Sequence, residues 1–413
     1  MAEFVYDLGI IGACGHVGLP LCLAFADRGL NVLGLDINEE SIKKVQNAVM
    51  PFYEENSQEI LERVINKKFF LSNNDSKISD CEKIIVIVGT PLNHDFSVNL
   101  GLMENLLSKL INYLKEGQTL IFRSTLAPKT TEYIKDYIET KTKFIIGNNL
   151  FLANVPERLT QSNAIKELKE LPNIIGAYDE GSYSKAENLF KLVNPETIRL
   201  TPLESELAKL FTNSYRMTNF ALANEYFIIA ETLGANFHKV REAMNYNYPR
   251  CNLAKQGFAK GPCLGKDSWI LLNSMPHFNM STTITSAAYR INDGMPDFLL
   301  HKIKEKVSIR GKKVAILGTA FKRNTDDTRD SLSLKLINLL KNEFANYVTH
   351  DPYVDNKDIK EVLKDSDIII IATNHEYYEQ INFKDLIKKE AIVVDLWNLT
   401  QHHKFIFKAS EMN

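Results

Sequence analysis

Cys263 lies in the segment Lys255-Gln-Gly257-Phe258-Ala-Lys-Gly-Pro-Cys263-Leu-Gly-Lys266-Asp267, after a Gly-Pro pair and just before a run that reads as a helix start. A helix N-terminus and a nearby lysine both favour the thiolate over the thiol, and the thiolate is the form that attacks carbon. The chain also opens with a dinucleotide-binding pattern, Gly12-Ala13-Cys14-Gly15-His16-Val17-Gly18. An activated cysteine and a hydride acceptor in one chain point to an oxidation through a covalent thio-adduct. A buried cysteine that only packs is the competing reading and the commoner fate of this residue type. Its Gly, Pro and Lys neighbours, however, are poor core formers.

Other polar groups fall where ligands bind. The usual fingerprint is GxGxxG; here Ala13 takes the first glycine position and Gly12 precedes it, while Gly15 and Gly18 survive. Backbone can then still approach a pyrophosphate at a helix N-terminus. About twenty residues on, Asp36 stands where a carboxylate accepts hydrogen bonds from the adenosine ribose and repels a 2′-phosphate, so NAD is expected rather than NADP. Gly89-Thr90-Pro91 and Arg123-Ser124-Thr125 follow two further strands, beyond whose carboxyl ends open α/β sheets place their ligands. Each is also ordinary turn chemistry. Asn154-Val-Pro-Glu157-Arg158 offers a carboxylate for water activation or sugar binding, with a surface Glu-Arg pair as the bland alternative. Lys209 and Asn213 lie four apart on one helix face and so can stabilise an oxyanion or position water, although a lone Lys on an amphipathic helix is usually solvated.

The elements that must position these residues alternate. Strands are expected at Asp7–Ile11, Asn31–Leu35, Lys83–Val88, Gln118–Arg123, Asn149–Ala153 and Asn173–Ile175, with helices at Val17–Arg28, Glu39–Asn47, Leu100–Leu114 and Thr130–Glu139. That order argues for a parallel, doubly wound sheet with helices on both faces. Thr201-Pro202-Leu203-Glu204 starts a long helix, with Thr as N-cap, Pro at the first helical position and Glu reaching back; Gly234 stops it. A helix this long crosses between domains or forms a dimer face. From Gly311 a second α/β region begins, with strands at Lys313–Leu317, Tyr347–His350, Ile368–Ala372 and Ala391–Asp395 and a helix at Ser331–Lys341. It lacks GxGxxG, but Lys322 and Arg323 sit after its first strand, a good place for a diphosphate. The fold class expected is therefore α/β: two doubly wound Rossmann-like domains (1–200 and 298–413) joined by a helical central domain (201–297) with one long helix.

Bulk properties narrow the classes. A chain of 413 residues suggests two or three domains. Lys plus Arg at 49 against Asp plus Glu at 51 leaves a net charge of −2, hence no general basic footprint for nucleic acid. Five cysteines, at 14, 22, 81, 251 and 263, form no CxxC or Cys/His set, which argues against a disulfide framework or a metal site and for a reducing, cytoplasmic setting. Leu8–Ala26 is apolar enough to resemble a membrane span, but its glycines and the lack of a basic leader fit a buried strand and packed helix better.

Several separated motifs, in order, resemble the nucleotide-sugar 6-dehydrogenases, the UDP-glucose and UDP-N-acetylhexosamine dehydrogenase superfamily. They are Gly15-His-Val-Gly-Leu-Pro-Leu21, Gly89-Thr-Pro91, Ser124-Thr125, Pro156-Glu-Arg158, Glu206-Leu-Ala-Lys-Leu-Phe-Thr-Asn213, Gly261-Pro-Cys-Leu-Gly-Lys-Asp267 and Phe321-Lys-Arg-Asn-Thr-Asp-Asp-Thr-Arg329. The resemblance spans nearly the whole chain. It implies NAD on the first domain, a helical dimerisation core giving a homodimer, and a UDP-sugar held mainly by the third. It also implies two hydride transfers from C6 of the sugar, with a thiohemiacetal and then a thioester on Cys263. By position, Lys209 and Asn213 would stabilise the oxyanion, Asp267 would move protons and activate water, and Thr125 and Glu157 would hold water and substrate. Gly12, Ala13, Gly15, His16, Val17, Asp36, Thr90, Ser124, Thr125, Lys266 and Arg329 would line the cofactor. Glu157, Arg158, Lys209, Asn213, Lys255, Gly257, Phe258, Phe321 and Lys322 would contact the substrate, with Arg250 reaching it across the subunit interface. Two departures stand out: Ala13, and Asp395-Leu-Trp397 where many relatives carry Asp-x-Arg. Gly-Pro-Cys and Pro-Glu-Arg look more like members acting on N-acetylated UDP-sugars. A UDP-glucose dehydrogenase, a two-electron hydroxyacid or 6-phosphogluconate type dehydrogenase, and a non-catalytic nucleotide-sugar binder are the alternatives.

Overall fold

An apolar strand, a glycine turn and a helix make the first unit of structure, and the chain repeats that motif. A computed structural model describes residues 3–89, 93, 99–274, 283–355, 357–400 and 405–412. It divides into two compact units, Met1–Thr212 with Trp269–Pro276, and Asn213–Ser268 with His277–Asn413.

In the first unit, β1 (Tyr6–Ile11), α1 (Gly18–Asp27), β2 (Val32–Leu35), α2 (Glu39–Gln46), α3 (Ser57–Val64), β3 (Phe69–Ser72) and β4 (Cys81–Val86) are followed by α4 (Leu100–Leu110), β5 (Thr119–Phe122), α5 (Thr130–Lys141) and β6 (Phe151–Asn154). Then come α6 (Ala164–Glu170), β7 (Asn173–Ala177), α7 (Glu180–Phe190) and β8 (Thr197–Leu200). The strand order is β3-β2-β1-β4-β5-β6-β7-β8. Its first six strands have the dinucleotide-binding order, with the switch point between β1 and β4. Leu8 and Ile10 pack on one face of the sheet, while Ile84, Val86, Leu120 and Phe122 pack on the other. Burial on both faces explains why these strands read as unbroken apolar runs, β1–α1 included. Among the described residues no helix is long and apolar enough to cross a membrane.

The sheet is parallel, as expected of a doubly wound fold, except at β7, which pairs antiparallel with β6 through Ala153 with Ala177 and Asn154 with Gly176. Strands β3 and β8 add to the six expected from the sequence. β8 has two exposed residues in the middle and lacks the apolar signature of a central strand.

Helix α8 (Pro202–Thr232) runs for 31 residues. Its start is a capping box: Glu204 Oε2 accepts from the backbone N and Oγ1 of Thr201, both at 2.8 Å, while Thr201 Oγ1 accepts from Glu204 N. At its end Gly234 takes φ +77° and Ala235 N donates to Ala230 O, closing the last turn.

After α9 (Phe237–Asn245), α10 (Leu264–Asn273), α11 (Ile284–Asp293) and α12 (Met295–Lys304), the second sheet forms. Its elements are β9 (Lys313–Leu317), α13 (Leu332–Asn342), β10 (Asn346–His350), α14 (Ile359–Leu363), β11 (Ile368–Ile371), α15 (Glu376–Glu379), β12 (Ile392–Asp395) and β13 (Ile406–Lys408). The order β10-β9-β11-β12-β13 puts its switch point between β9 and β11. Only β13 is antiparallel, against β12.

Candidate active site

The glycine turn after β1 is built for close approach. Gly12 takes φ +83°, and a Cβ there would fall 2.1 Å from Ile87 O. A Cβ on Gly18 would fall 2.1 Å from Gly12 O, so the first turn of α1 packs directly on the loop. Ala13 is fully buried, and its methyl is accommodated because residue 34 on β2 is glycine: a Cβ there would come 2.7 Å from Ala13 Cβ. The left-handed conformation has therefore moved to Gly12, and the missing fingerprint glycine is compensated across the sheet. The first turn of α1 carries no acidic residue, which keeps its positive end available to an anion. Asp36 follows β2. Its Oδ2 accepts from Cys14 N at 2.8 Å and its Oδ1 from Asn38 N at 2.9 Å. A carboxylate has about four lone-pair positions, so two remain for ribose hydroxyls. Glycine approach, helix N-terminus and oriented carboxylate together fit a dinucleotide. His16 stacks on Phe52 with ring centroids 4.1 Å apart. Burial pushes the Cys14 thiol up to about 12, helped by the Asp36 charge, so this loop cysteine is no nucleophile.

The ends of β5 and β6 carry the next group. Ser124 Oγ accepts from Val88 N at 2.8 Å, tying the loops after β4 and β5 together; Thr125 adjoins it, and Thr90 lies outside the described residues. Glu157 N donates to Arg123 O at 3.0 Å, and a Glu157 carboxylate oxygen accepts from Leu159 N. Arg123 is buried beneath this loop, its guanidinium 5.0 Å from the Phe190 ring centroid. Burial lowers its pKa to about 10, against the opposing pull of Glu157. Arg158 donates to Pro172 O, so its guanidinium is partly used in holding the fold.

The structure gives Glu206, the first residue of the α8 motif, a role of its own. Its carboxylate accepts from Lys129 N and Thr131 N, both at 2.7 Å, and from Thr131 Oγ1 at 2.6 Å. It therefore caps α5 from α8 and fixes the loop that follows Thr125. Burial raises its pKa against these hydrogen bonds. One turn along α8 stands Lys209, 5% exposed. The spacing of three between Glu206 and Lys209 was the available signal.

In the second unit, Cys263 is exposed immediately before α10, and its carbonyl accepts the first helical bond, from Asp267 N at 2.9 Å. The thiol thus sits at the N-cap, where the helix dipole favours the thiolate. Arg329 lies close enough to couple with it. Hydrogen bonds that the guanidinium donates to Asp327 chiefly hold it above its ordinary pKa, with the Cys263 charge adding to the effect. Asp267, one turn in from the thiol, is fully buried; its Oδ2 accepts from Asn213 Nδ2 at 2.6 Å, and Lys266 Nζ stands 3.8 Å from Oδ1. Cys263, Asp267, Asn213 and Lys266 thus form one local group around the start of α10.

The segment before Cys263 lies over the carboxyl ends of the second sheet. A Cβ on Gly261, φ +91°, would fall 2.3 Å from the Phe321 ring, and Gly261 N donates to Asp330 O. Gln256 Nε2 donates to Leu396 O at 2.6 Å. Lys322 sits in the loop after β9. Its neighbour Arg323 is corrected from the diphosphate reading, because it is paired with Glu376 and Glu379 at 2.8 and 2.7 Å. Phe258 packs into the apolar core, Lys255 is exposed, and Lys260 pairs with Asp293 at 2.7 Å. Arg250 lies exposed on its loop against the Tyr248 ring, and its Nε donates to Tyr248 Oη at 3.0 Å. Among the described residues no group of three His, Cys, Asp or Glu could hold a metal.

Comparison with known proteins assigns the class. The UDP-glucose/GDP-mannose dehydrogenase family matches in three parts: its NAD binding domain over residues 6–194, its central domain over 203–294 and its UDP binding domain over 315–402. The chain belongs to this family, and it is an NAD-dependent nucleotide-sugar dehydrogenase. A UDP-N-acetyl-D-mannosamine dehydrogenase of Pyrococcus horikoshii is 32% identical, over 95% of this chain and 96% of its own. The solved UDP-N-acetyl-mannosamine dehydrogenase of Staphylococcus aureus is 29% identical with a TM-score of 0.82, covering 93% of this chain and 92% of its own. A UDP-glucose dehydrogenase from Pyrobaculum islandicum superposes with a TM-score of 0.84 at 25% identity, covering 95% and 94%.

Proposed function

We propose that this enzyme oxidises the C6 hydroxyl of UDP-N-acetyl-D-mannosamine to the carboxylate, in two steps through Cys263. The observation that carries the reading is the exposed thiol at the N-cap of α10, one turn from a buried carboxylate that an α8 amide holds. NAD, when bound, supplies the two-electron acceptor for each oxidation. In the first, the C6 hydroxyl loses its proton and becomes an aldehyde, with Lys209 and Asn213 stabilising the oxygen as charge develops. The Cys263 thiolate then adds to the aldehyde carbon and the oxygen takes a proton, giving a thiohemiacetal. A second two-electron loss, with return of that proton, leaves a thioester. Water, held by Thr125 and Glu157 and activated by Asp267, cleaves the thioester and frees the thiol. Per sugar, one water is consumed and two acceptors are reduced. A thiol is needed because an aldehyde released midway would be lost.

Gly12, Ala13, Gly15, His16, Val17, Asp36, Thr90, Ser124, Thr125, Lys266 and Arg329 are proposed on the cofactor. Glu157, Arg158, Gly257, Phe258, Phe321 and Lys322, with Lys255, are proposed on the substrate. The three-domain division at 1–200, 201–297 and 298–413 belongs to the same proposal and is supported by the three matched family segments. So does a cytoplasmic homodimer, in which Arg250 would serve the partner's sugar. Support for the dimer comes from exposed apolar residues along α8 (Phe211, Tyr215, Leu222, Tyr226 and Ile229). Support for the substrate comes from the several relatives named for that sugar.

The test is a panel of UDP-N-acetylmannosamine, UDP-N-acetylglucosamine and UDP-glucose, counting NADH formed per sugar consumed. Two per sugar, with highest kcat/KM on the mannosamine derivative, is expected. One per sugar would replace the covalent mechanism by a two-electron oxidation, none would leave a binding protein, and a preference for UDP-glucose would overturn the substrate.

A further inference from the structure

Gly257 is the glycine of the second unit that a side chain approaches most closely. It takes φ +142°, and a Cβ there would fall 2.0 Å from Trp397 Cη2 and 2.2 Å from Cζ3, so the indole lies directly on the glycine. From the other side Asn224 of α8, fully buried, holds both polar groups of the same residue: Gly257 N donates to Asn224 Oδ1 at 2.8 Å, and Asn224 Nδ2 donates to Gly257 O at 3.0 Å. Asn224 Nδ2 also donates to Asn292 Oδ1 at 2.8 Å, and Asn292 Nδ2 donates to Met217 O.

The indole is itself held in place. Its Nε1 donates to Ala372 O, just past β11 at the switch point of the sheet, at 3.3 Å. The turn that presents it is wound around Asp395 at the end of β12. Asp395 Oδ1 accepts from the backbone N of Trp397 and Leu399, and Oδ2 accepts from the N and Oγ1 of Thr400 at 2.8 and 2.6 Å. A buried carboxylate, a four-bonded turn, an indole, a glycine and a buried amide therefore form one unbroken chain of contacts. It runs from the sheet ends, where open α/β sheets bind their ligands, to α8. Four hydrogen bonds on one carboxylate are far more than a surface turn needs.

We propose that Trp397 is a positioning residue for the nucleotide half of the substrate, acting through Gly257. With Asn224 as the opposing jaw, it sets the segment Gln256–Gly261 over the crevice before ligand arrives, so no ordering cost falls on binding. This rests on the reading that the crevice takes UDP. An indole can do this because it needs only a flat face and one donor. It supplies no charge to the diphosphate, so its whole effect passes through the shape of the loop.

The test is calorimetric titration of UDP into the full-length enzyme with NAD present, alongside steady-state kinetics. Trp397→Ala should weaken UDP binding and raise KM for the UDP-sugar by about 10- to 100-fold, with kcat within about threefold; such a split is the mark of lost preorganisation. Trp397→Phe, which keeps the flat face, should stay within about fivefold of the parent in both. Asn224→Asp, which keeps the acceptor for Gly257 N and loses the donor to Gly257 O, should reproduce the KM defect if Trp397→Ala does not fold. UDP affinity within twofold of the parent in Trp397→Ala, or in Asn224→Asp where the former is unfolded, would overturn the proposal. So would a loss confined to kcat. Failure of the parent enzyme to bind UDP would instead remove the reading on which the proposal rests.

Discussion

At Cys263 the proposed chemistry rests on three local facts: exposure, the N-cap of α10, and the charge of Arg329. Each favours a thiolate that can both attack an aldehyde and leave a thioester. Serine at this position keeps the geometry but makes a poor leaving group. Cys263→Ser should therefore lower steady-state formation of the acid by roughly three orders of magnitude or more, while still permitting one acylation. Intact-mass measurement after incubation with substrate and NAD should then show the sugar-nucleotide acyl adduct on the protein. Near-normal turnover, or no adduct alongside normal turnover, would make the thiol a packing residue. The sequence exposes these proposed residues because they come in close pairs: Cys263 and Asp267 are one turn apart, as are Lys209 and Asn213. It does not expose the 2.6 Å bond from Asn213 to Asp267, which joins positions 54 residues apart. Trp397 is illegible for a related reason. An aromatic after a strand carries no local sign that a glycine 140 residues earlier was vacated for it.

Elements show the same division. The strand-turn-helix start, the capping box of α8 and its glycine stop were readable, because caps and periodicity are local. The antiparallel β7 and the short β8 were not, since strand direction is set by where the chain returns. Ala13 is the instructive case. Sequence shows only a missing glycine; the structure shows that Gly34, one strand over, makes room for its methyl. Gly34→Ala should therefore cost about 1–3 kcal/mol by overpacking, because its Cβ would also fall 2.7 Å from Leu71 Cδ2 and 3.0 Å from Phe69 Cε2. Adding Ala13→Gly should recover part of that loss, and denaturant unfolding of the two single variants and the double variant measures the coupling. Strict additivity would mean that the two residues do not share the space. The NAD affinity of the Ala13→Gly single variant should stay close to that of the parent, since the positive φ belongs to Gly12.

For the whole molecule, the strongest remaining demand is on α8. Phe211, Tyr215, Leu222, Tyr226 and Ile229 are each more than a third exposed, and their spacings of four, seven, four and three keep them on one face of a 31-residue helix. A stripe of that length facing water is rare on a monomer. Placed against the same stripe of a second copy, it becomes a self-complementary contact of two-fold symmetry. The apolar residues at its centre then decide the equilibrium, because the core of such a contact is where water is fully excluded. Leu222→Glu with Ile229→Glu buries four like charges in the dimer and none in the monomer, so it should weaken association by at least several hundred-fold. Sedimentation at micromolar concentration should find the parent at twice the chain mass and the double variant at once. Far-UV circular dichroism should be unchanged, because both positions already face solvent in the single chain. If the parent itself sediments as a monomer at these concentrations, the stripe covers something other than its own copy, and Arg250 must lose its proposed place on the partner's sugar.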